Sequence, residues 1–315
     1  MQIFLAVSIA LVVSLIAGPF IIKKLKEYKI GQQIRHNGPQ GHLKKQGTPT
    51  MGGFIFMAGI IVSALIMNRL DPDNLLLLLG MVLFGLIGFL DDRLIIKTQS
   101  SDGLSAKQKI ALNIVFSIGM AYLLNPGLEA YPLYFPGLDR TWMLNPVLYF
   151  LFIILFYTAV TNSVNLTDGV DGLCGSVSLV VAIFYIVYAS SIAETPSALF
   201  AAALAGALAG YLFFNWHPAR VFMGDTGSFA LGGALATLAI LTGTEILFIL
   251  VGIIYVIESL SDIIQIGSKK LRGKRVFLMA PIHHHFEKKG WSEVRIVAVF
   301  TLITAMAAVL AYFIA

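Results

Sequence analysis

Three short acidic islands interrupt an otherwise apolar chain. They are Asp91-Asp92, the run Asn162-Ser-Val-Asn-Leu-Thr-Asp168-Gly-Val-Asp171-Gly172, and Asn215-Trp-His-Pro-Ala-Arg-Val-Phe-Met-Gly-Asp225. Each follows the end of a long hydrophobic stretch. Adjacent carboxylates such as Asp91 and Asp92 repel each other and stay ionised most readily beside a cation. Magnesium prefers oxygen ligands, takes one or two carboxylates, and completes its shell with water or substrate phosphate. Asp91, Asp92, Asp168, Asp171 and Asp225 offer more than such an ion needs. Asn162, Asn165 and Asn215 add neutral donors and acceptors suited to a sugar, a base or a phosphate. Gly169, Gly172 and Gly224 leave room for a ligand to come close. A single aspartate is readily explained as a helix cap or loop residue; five gathered on one side of a membrane are not.

A fourth polar island runs Ala280-Pro-Ile-His283-His284-His285-Phe286-Glu287. Zinc sites use spaced ligands, whereas three successive histidines point in different directions. A phosphate-binding or structuring cluster, helped by Lys288, is the more natural reading. Glu258 and Asp262, four apart on one helix face, read as packing and pairing groups outside the site. Cys174 is the only cysteine, which excludes an intramolecular disulfide and a multi-thiolate metal site. It reads as a buried thiol.

The elements that must position these groups are membrane spans. Hydrophobic residues make up 57% of the 315-residue chain and charged residues 12%, against roughly 25% charged in ordinary soluble domains. Such a sequence cannot cover a water-facing surface, so one all-α, polytopic membrane domain over 1–315 is expected, with no nucleic-acid partner. The run Ile3 to Ile22 lacks a basic leader and reads as a first span, not a cleaved signal. Spans of about 20 apolar residues are expected near 2–22, 50–68, 75–90, 110–124, 146–161, 173–191, 198–214, 228–243, 247–266 and 296–314. All must be helical, because lipid cannot satisfy open backbone groups. Between them, residues 125–145 read as a small aromatic-rich hairpin at the membrane surface.

Ten spans place 23–49, 91–109, 162–172, 215–227 and 267–295 on one side. All 22 lysines and arginines except Arg69 and Arg140 lie in those segments. The positive-inside rule makes that face cytoplasmic and puts both termini outside. Most of the basic residues, such as Lys23, Lys24, Lys26 and Lys29, read as topology anchors beside anionic headgroups. Lys44-Lys45 leads into Gly47-Thr-Pro-Thr50-Met-Gly-Gly53, a glycine-rich helix entry whose N–H groups could meet an anion. All the acidic islands and the histidine run fall on the cytoplasmic face, at helix ends where water and ligands reach them. A phosphorylated, anionic donor from the water phase and a lipid acceptor are implied. Phosphoryl transfer between them needs little beyond a metal, positioning and charge neutralisation.

At these residues the chain resembles the phospho-N-acetylmuramoyl-pentapeptide transferases, a branch of the polyprenyl-phosphate N-acetylhexosamine-1-phosphate transferase superfamily. The resemblance rests on Gly47–Gly53, Gly88-Phe-Leu-Asp91-Asp92, Asn162–Gly172, Val221-Phe-Met-Gly-Asp225 and Met279-Ala-Pro-Ile-His-His-His-Phe-Glu287. The acidic motifs are those of the superfamily; the histidine motif points to the branch. The resemblance implies a ten-helix fold with a cytoplasmic active-site cleft in the bacterial plasma membrane. It also implies Mg2+ and transfer of phospho-MurNAc-pentapeptide from UDP-MurNAc-pentapeptide to undecaprenyl phosphate, with a homodimer plausible. By carry-over, Asp225 is the magnesium ligand, and Asp91 and Asp92 are the catalytic pair with Asp91 the candidate base. Lys109 and His284 join that set. Asn165, Asp168, Asp171, Asn215 and Phe222 surround the nucleoside diphosphate, with Lys45 and Thr50 near the same pocket; Asn162, His283 and His285 complete the substrate-binding expectation. Where the family has lysine four positions after the first aspartate of the pair, this chain has Ile95, flanked by Arg93 and Lys97. Lys97 is expected to supply the missing charge, with Arg93 the alternative. The readings weighed against this one are a sister enzyme loading GlcNAc-1-phosphate and an ion-coupled transporter. The Met-Ala-Pro-Ile-His-His-His run argues against the first. The gathering of carboxylates at helix ends, not the midplane, argues against the second.

Overall fold

Long apolar runs with few breakers leave the backbone one way to satisfy itself, and the computed structural model of the chain is helical almost throughout. It describes residues 1–28, 47–98, 103–138 and 140–315. The helices are α1 (Gln2–Glu27), α2 (Gly53–Ile66), α3 (Pro72–Thr98), α4 (Ala106–Leu124), α5 (Pro146–Thr167), α6 (Leu173–Ser191), α7 (Thr195–Asn215), α8 (Gly224–Leu241), α9 (Phe248–Val251), α10 (Ile253–Arg272), α11 (Ile282–Lys288) and α12 (Glu293–Ile314). Their starts follow local chemistry. Ser105 and Gln108 form a reciprocal capping box at α4. Asn145 caps α5 ahead of Pro146, and Ser292 accepts from the Arg295 N–H at α12.

Among the described residues, seven helices are long and apolar enough to cross a membrane: α1, α3, α5, α6, α7, α8 and α12. α2 is apolar but has only 14 residues, about 21 Å at 1.5 Å per residue. α4 and α10 overlap two more of the ten expected spans. The ninth expected span, 247–266, is not one rod: it is divided at Gly252 into the short α9 and α10. The third runs past its expected end at residue 90, so that Asp91 and Asp92 lie within α3. Large apolar side chains face outward on α1 and α12, including Phe4, Phe20, Met306 and Phe313. That surface suits hydrocarbon and not water.

α7 and α8 form the centre, rich in alanine and glycine and buried along most of their length. Small residues let backbones approach closely. A Cβ on Gly206 would stand 2.1 Å from the Val7 carbonyl oxygen of α1, and one on Gly80 of α3 would stand 2.2 Å from Thr237 Oγ1 of α8. Buried polar side chains pair across helices: Asn113 with Thr161, Tyr157 with Thr237, Ser178 with Tyr255. Cys174 is buried, as expected.

The aromatic stretch after α4 is the expected hairpin, β1 (Tyr131–Phe135) antiparallel to β2 (Arg140–Leu144), with Leu133 opposite Trp142. It is fastened by Tyr131, whose hydroxyl donates to the Ile240 carbonyl at 3.0 Å and whose ring stacks on Tyr149, with centroids 4.2 Å apart.

Candidate active site

The start of α8 organises the site. Its N-cap position is Met223, which offers no side-chain acceptor, so the first N–H groups need one from elsewhere. Asp92 of α3 supplies it. Its Oδ2 accepts from the Thr226 N–H at 2.9 Å and the Thr226 hydroxyl at 2.6 Å, and its Oδ1 lies 3.3 Å from the Asp225 nitrogen. The positive end of the helix dipole favours the carboxylate there. Glycine at 88 makes this approach possible: a Cβ would stand 1.9 Å from the Asp225 carbonyl oxygen. Gly224, at φ +74°, turns the chain into α8 in a conformation that suits glycine.

Asp225 is thereby fixed beside two other groups. Its Oδ2 lies 2.6 Å from Lys109 Nζ of α4, and its Oδ1 accepts from Asn165 Nδ2 at 2.9 Å. Lys109 reaches Asp91 Oδ2 as well, at 3.1 Å, while Asp91 Oδ1 accepts from the Leu104 N–H at 2.6 Å. Lys109 therefore bridges Asp91 and Asp225. Arg93 and Lys97, the expected substitutes for the lysine absent at 95, are exposed on α3. Neither pairs with these carboxylates among the described residues.

The turn between α5 and α6 closes the next side. Asp168 follows the last residue of α5. Burial raises its carboxyl pKa well above the usual range, and the charges of Asp225, Asp92 and Asp171 add to the rise. The Gly172 N–H donates to Asn215 Oδ1, and Asn215 Nδ2 donates to the Val221 carbonyl. Asn215 thus ties this turn to the segment leading to Phe222 and Asp225. Asn162 turns back on its own helix, donating to the Thr158 carbonyl at 2.7 Å.

The glycine-rich entry to α2 is used differently from expectation. The Gly52 and Gly53 N–H groups donate to the carbonyls of Phe222 and Met223, and the Phe222 N–H returns to the Pro49 carbonyl. Those two amides are spent on holding the α8 entry and are not open to an anion. Thr50 is buried in the same contact, near Gly224. Lys44 and Lys45 lie outside the described residues.

The three histidines diverge as their spacing predicts. His284 Nδ1 meets Glu287 Oε2 at 2.5 Å. His285 Nδ1 accepts from the Leu278 N–H, and desolvation, with Lys289 nearby, lowers its pKa. His283, expected among the substrate contacts, is instead enclosed: its Nδ1 lies 3.1 Å from Glu258 Oε2, with both residues buried. Its ring packs against Gly169, where a Cβ would stand 2.2 Å from Nε2. His283 therefore joins α10, α11 and the Asp168 turn. Glu258, read as a packing and pairing group, is its partner; the signal in the sequence was an acidic residue within an expected apolar span, which needs one.

Among the described residues, Asp91, Asp92, Asp168 and Asp225 lie close together, and Lys109 pairs with Asp91 and Asp225. Carboxylate oxygens are the ligands a divalent cation such as Mg2+ takes, and Asp225 and Asp91, which share Lys109, could hold one.

Residues 74–243 match the family described as glycosyl transferase family 4. Curated relatives match over nearly their full length. The phospho-N-acetylmuramoyl-pentapeptide-transferase of Clostridium beijerinckii is 47% identical over 95% of this chain and 92% of its own. That of Carboxydothermus hydrogenoformans is 46% identical over 95% and 94%, and that of Clostridium acetobutylicum 43% over 98% and 97%. With its aspartates, lysine and histidines assembled at one set of helix ends, the chain belongs to glycosyl transferase family 4 and, within it, to the phospho-N-acetylmuramoyl-pentapeptide-transferases.

Proposed function

We propose that the protein transfers phospho-MurNAc-pentapeptide from UDP-MurNAc-pentapeptide to undecaprenyl phosphate, forming lipid I and releasing UMP. The observation that carries this reading is the Asp91–Lys109–Asp225 bridge at the start of α8, with Asn165 and the Asp168 turn beside it. An oxygen of the lipid phosphate attacks the phosphorus that bears the sugar. The bond from that phosphorus to the bridging oxygen breaks, and UMP leaves with the electron pair. One phosphoanhydride replaces another, so the equilibrium is near balance.

Such a reaction depends on positioning and charge neutralisation. Asp91 is the base that takes the proton of a protonated lipid phosphate. Asp92 is poorly placed for that role, since the amide and hydroxyl donors of Asp225 and Thr226 occupy its oxygens. Asp225, with Asp91 near, would hold Mg2+, which when bound offsets charge on the diphosphate. Lys109 keeps the two carboxylates together and offers a cation to the transferred phosphoryl group. The site faces the cytoplasm of a bacterial plasma membrane, because the aspartate-bearing segments lie on the side that carries every lysine and arginine except Arg69 and Arg140.

The test is UMP release by the purified enzyme from UDP-MurNAc-pentapeptide with undecaprenyl phosphate, and from UDP-GlcNAc in parallel. Release from the first donor alone is expected. EDTA should stop it and added Mg2+ restore it, and Asp225→Asn should abolish it. Turnover that survives complete chelation would remove the metal from the reading, and release from UDP-GlcNAc alone would move the enzyme to the sister branch.

A further inference from the structure

Behind the bridge, three segments meet at a second cluster. The Asp171 carboxylate is 5% exposed, and its Oδ2 accepts from His217 Nδ1 at 3.0 Å and from the Ala219 N–H at 3.1 Å. The Asp171 N–H donates in turn to Glu293 Oε2, at 3.2 Å, from the first turn of α12. His217 Nδ1 is 3.6 Å from that same oxygen. One imidazole therefore sits between carboxylates contributed by the α5–α6 turn and by α12. The next amide, of Gly172, is taken by Asn215. Two successive N–H groups of the turn are thus committed to side chains from two other elements, and the loop before α8 is committed to the turn.

We propose that His217 and Glu293 are positioning residues for the donor half of the site, acting through Asp171. The inference rests on the reaction proposed above. The turn they hold carries Asp168, and the loop they hold carries Phe222 and leads into Asp225. Fixing one against the other sets the width of the slot in which a nucleoside diphosphate lies. Neither residue bonds to Lys109, Asp91 or Asp225 among the described residues, so the clasp bears on donor binding and leaves the transfer step alone. The three ligand atoms also lie within 4.8 Å of one another, close enough for a metal ion. The hydrogen bonds that Asp171 accepts from Ala219 and His217 favour a clasp made by the chain itself.

Steady-state kinetics of the full-length enzyme test this, with each substrate varied while the other saturates. Losing a hydrogen bond to a charged group costs about a factor of ten or more in equilibrium terms. His217→Ala and Glu293→Ala should each raise the KM for UDP-MurNAc-pentapeptide about tenfold, with kcat within about threefold and the KM for undecaprenyl phosphate unchanged. The double variant should be little worse than either single one, because both act on one unit. His217→Asn, whose amide N–H can stand near the place of Nδ1, should recover most of the donor KM. Melting curves establish that each variant is folded; if His217→Ala does not fold, His217→Asn against Glu293→Gln carries the comparison. A fall in kcat at unchanged donor KM, an equal rise in both KM values, or no rescue by asparagine would overturn the proposal. Stoichiometric Zn2+ binding lost in His217→Asn would do the same, in favour of a metal site. Wild-type enzyme that releases no UMP from this donor would instead defeat the underlying reaction.

Discussion

Gly88→Ala is the sharpest probe of how α3 positions the Asp225 end of α8. A Cβ at 88 would lie 1.9 Å from the Asp225 oxygen, 2.1 Å from its carbonyl carbon and 2.5 Å from the Thr226 nitrogen, whereas ordinary contact begins at 3.4 Å. All three are backbone atoms, so no side-chain rotation relieves the clash. The helices must part by roughly 1.5 Å on this packing geometry. The Thr226 N–H to Asp92 bond, now 2.9 Å, would not survive that movement, and α8 would lose the cap that fixes Asp225. Misplacing a catalytic group by 1 Å costs about 100-fold in rate, so turnover should fall by about that factor or more. Overpacking typically costs about 1–3 kcal/mol, and at about 2.1 cal/mol/K per residue a chain of 315 residues loses about 1.5 °C of Tm per kcal/mol. The variant should therefore remain folded, with a modestly lower melting temperature. UMP release and thermal unfolding in the same detergent measure both quantities. Gly119→Ala is the control: nothing lies within 4 Å of a Cβ there, and activity should be unchanged. Gly88→Ala with turnover within about threefold of wild type would refute the claim that the α3–α8 approach sets the site.

Two further substitutions test separate parts of the site. Lys109→Met removes the cation shared by Asp91 and Asp225 and should lower kcat by about 100-fold or more; Lys109→Arg should rescue poorly, because a planar fork does not replace a compact ammonium. An initial-rate assay of UMP release decides, and near-normal turnover in Lys109→Met would count against the bridge. Glu258→Ala strips a buried partner from His283 and should cost about 1–3 kcal/mol of stability, with Glu258→Gln milder. Equal melting temperatures for Glu258→Ala and wild type would show that the pair carries no weight.

Where the sequence is legible, the information is local. α6 begins and ends at the expected residues 173 and 191, and α7 and α12 lie within about three residues of expectation, because apolar length alone specifies a helix in lipid. The same rule misplaced the end of α3. Two adjacent charges read as the start of a loop, yet the helix continues to Thr98, because Asp91 and Asp92 find their donors on α4, α8 and the Leu104 amide. The break at Gly252 inside the ninth span was hidden for the converse reason: the residues on either side are apolar enough to read as one rod.

The site divides in the same way. Residue type and side of the membrane were enough to gather Asp91, Asp92, Asp168 and Asp225, but not to distribute their work. Asp92 and Thr226 are 134 positions apart, and Lys109 and Asp225 are 116 apart; no spacing rule links them. What physics does fix in advance is a debt: a carboxylate enclosed by helices must be met by donors or by positive charge. That requirement was readable at Glu258, an acid within an expected span, and it was answered by His283, 25 positions further on. It was equally readable at the adjacent pair. Asp92 satisfies it with the amide and hydroxyl donors of one helix terminus. Asp91 satisfies it partly through a lysine that it must share with Asp225. The carboxylate whose compensation is shared is the one whose charge a bound substrate can still alter, and this asymmetry, not the order of the two residues in the motif, supports the proposal that Asp91 is the base.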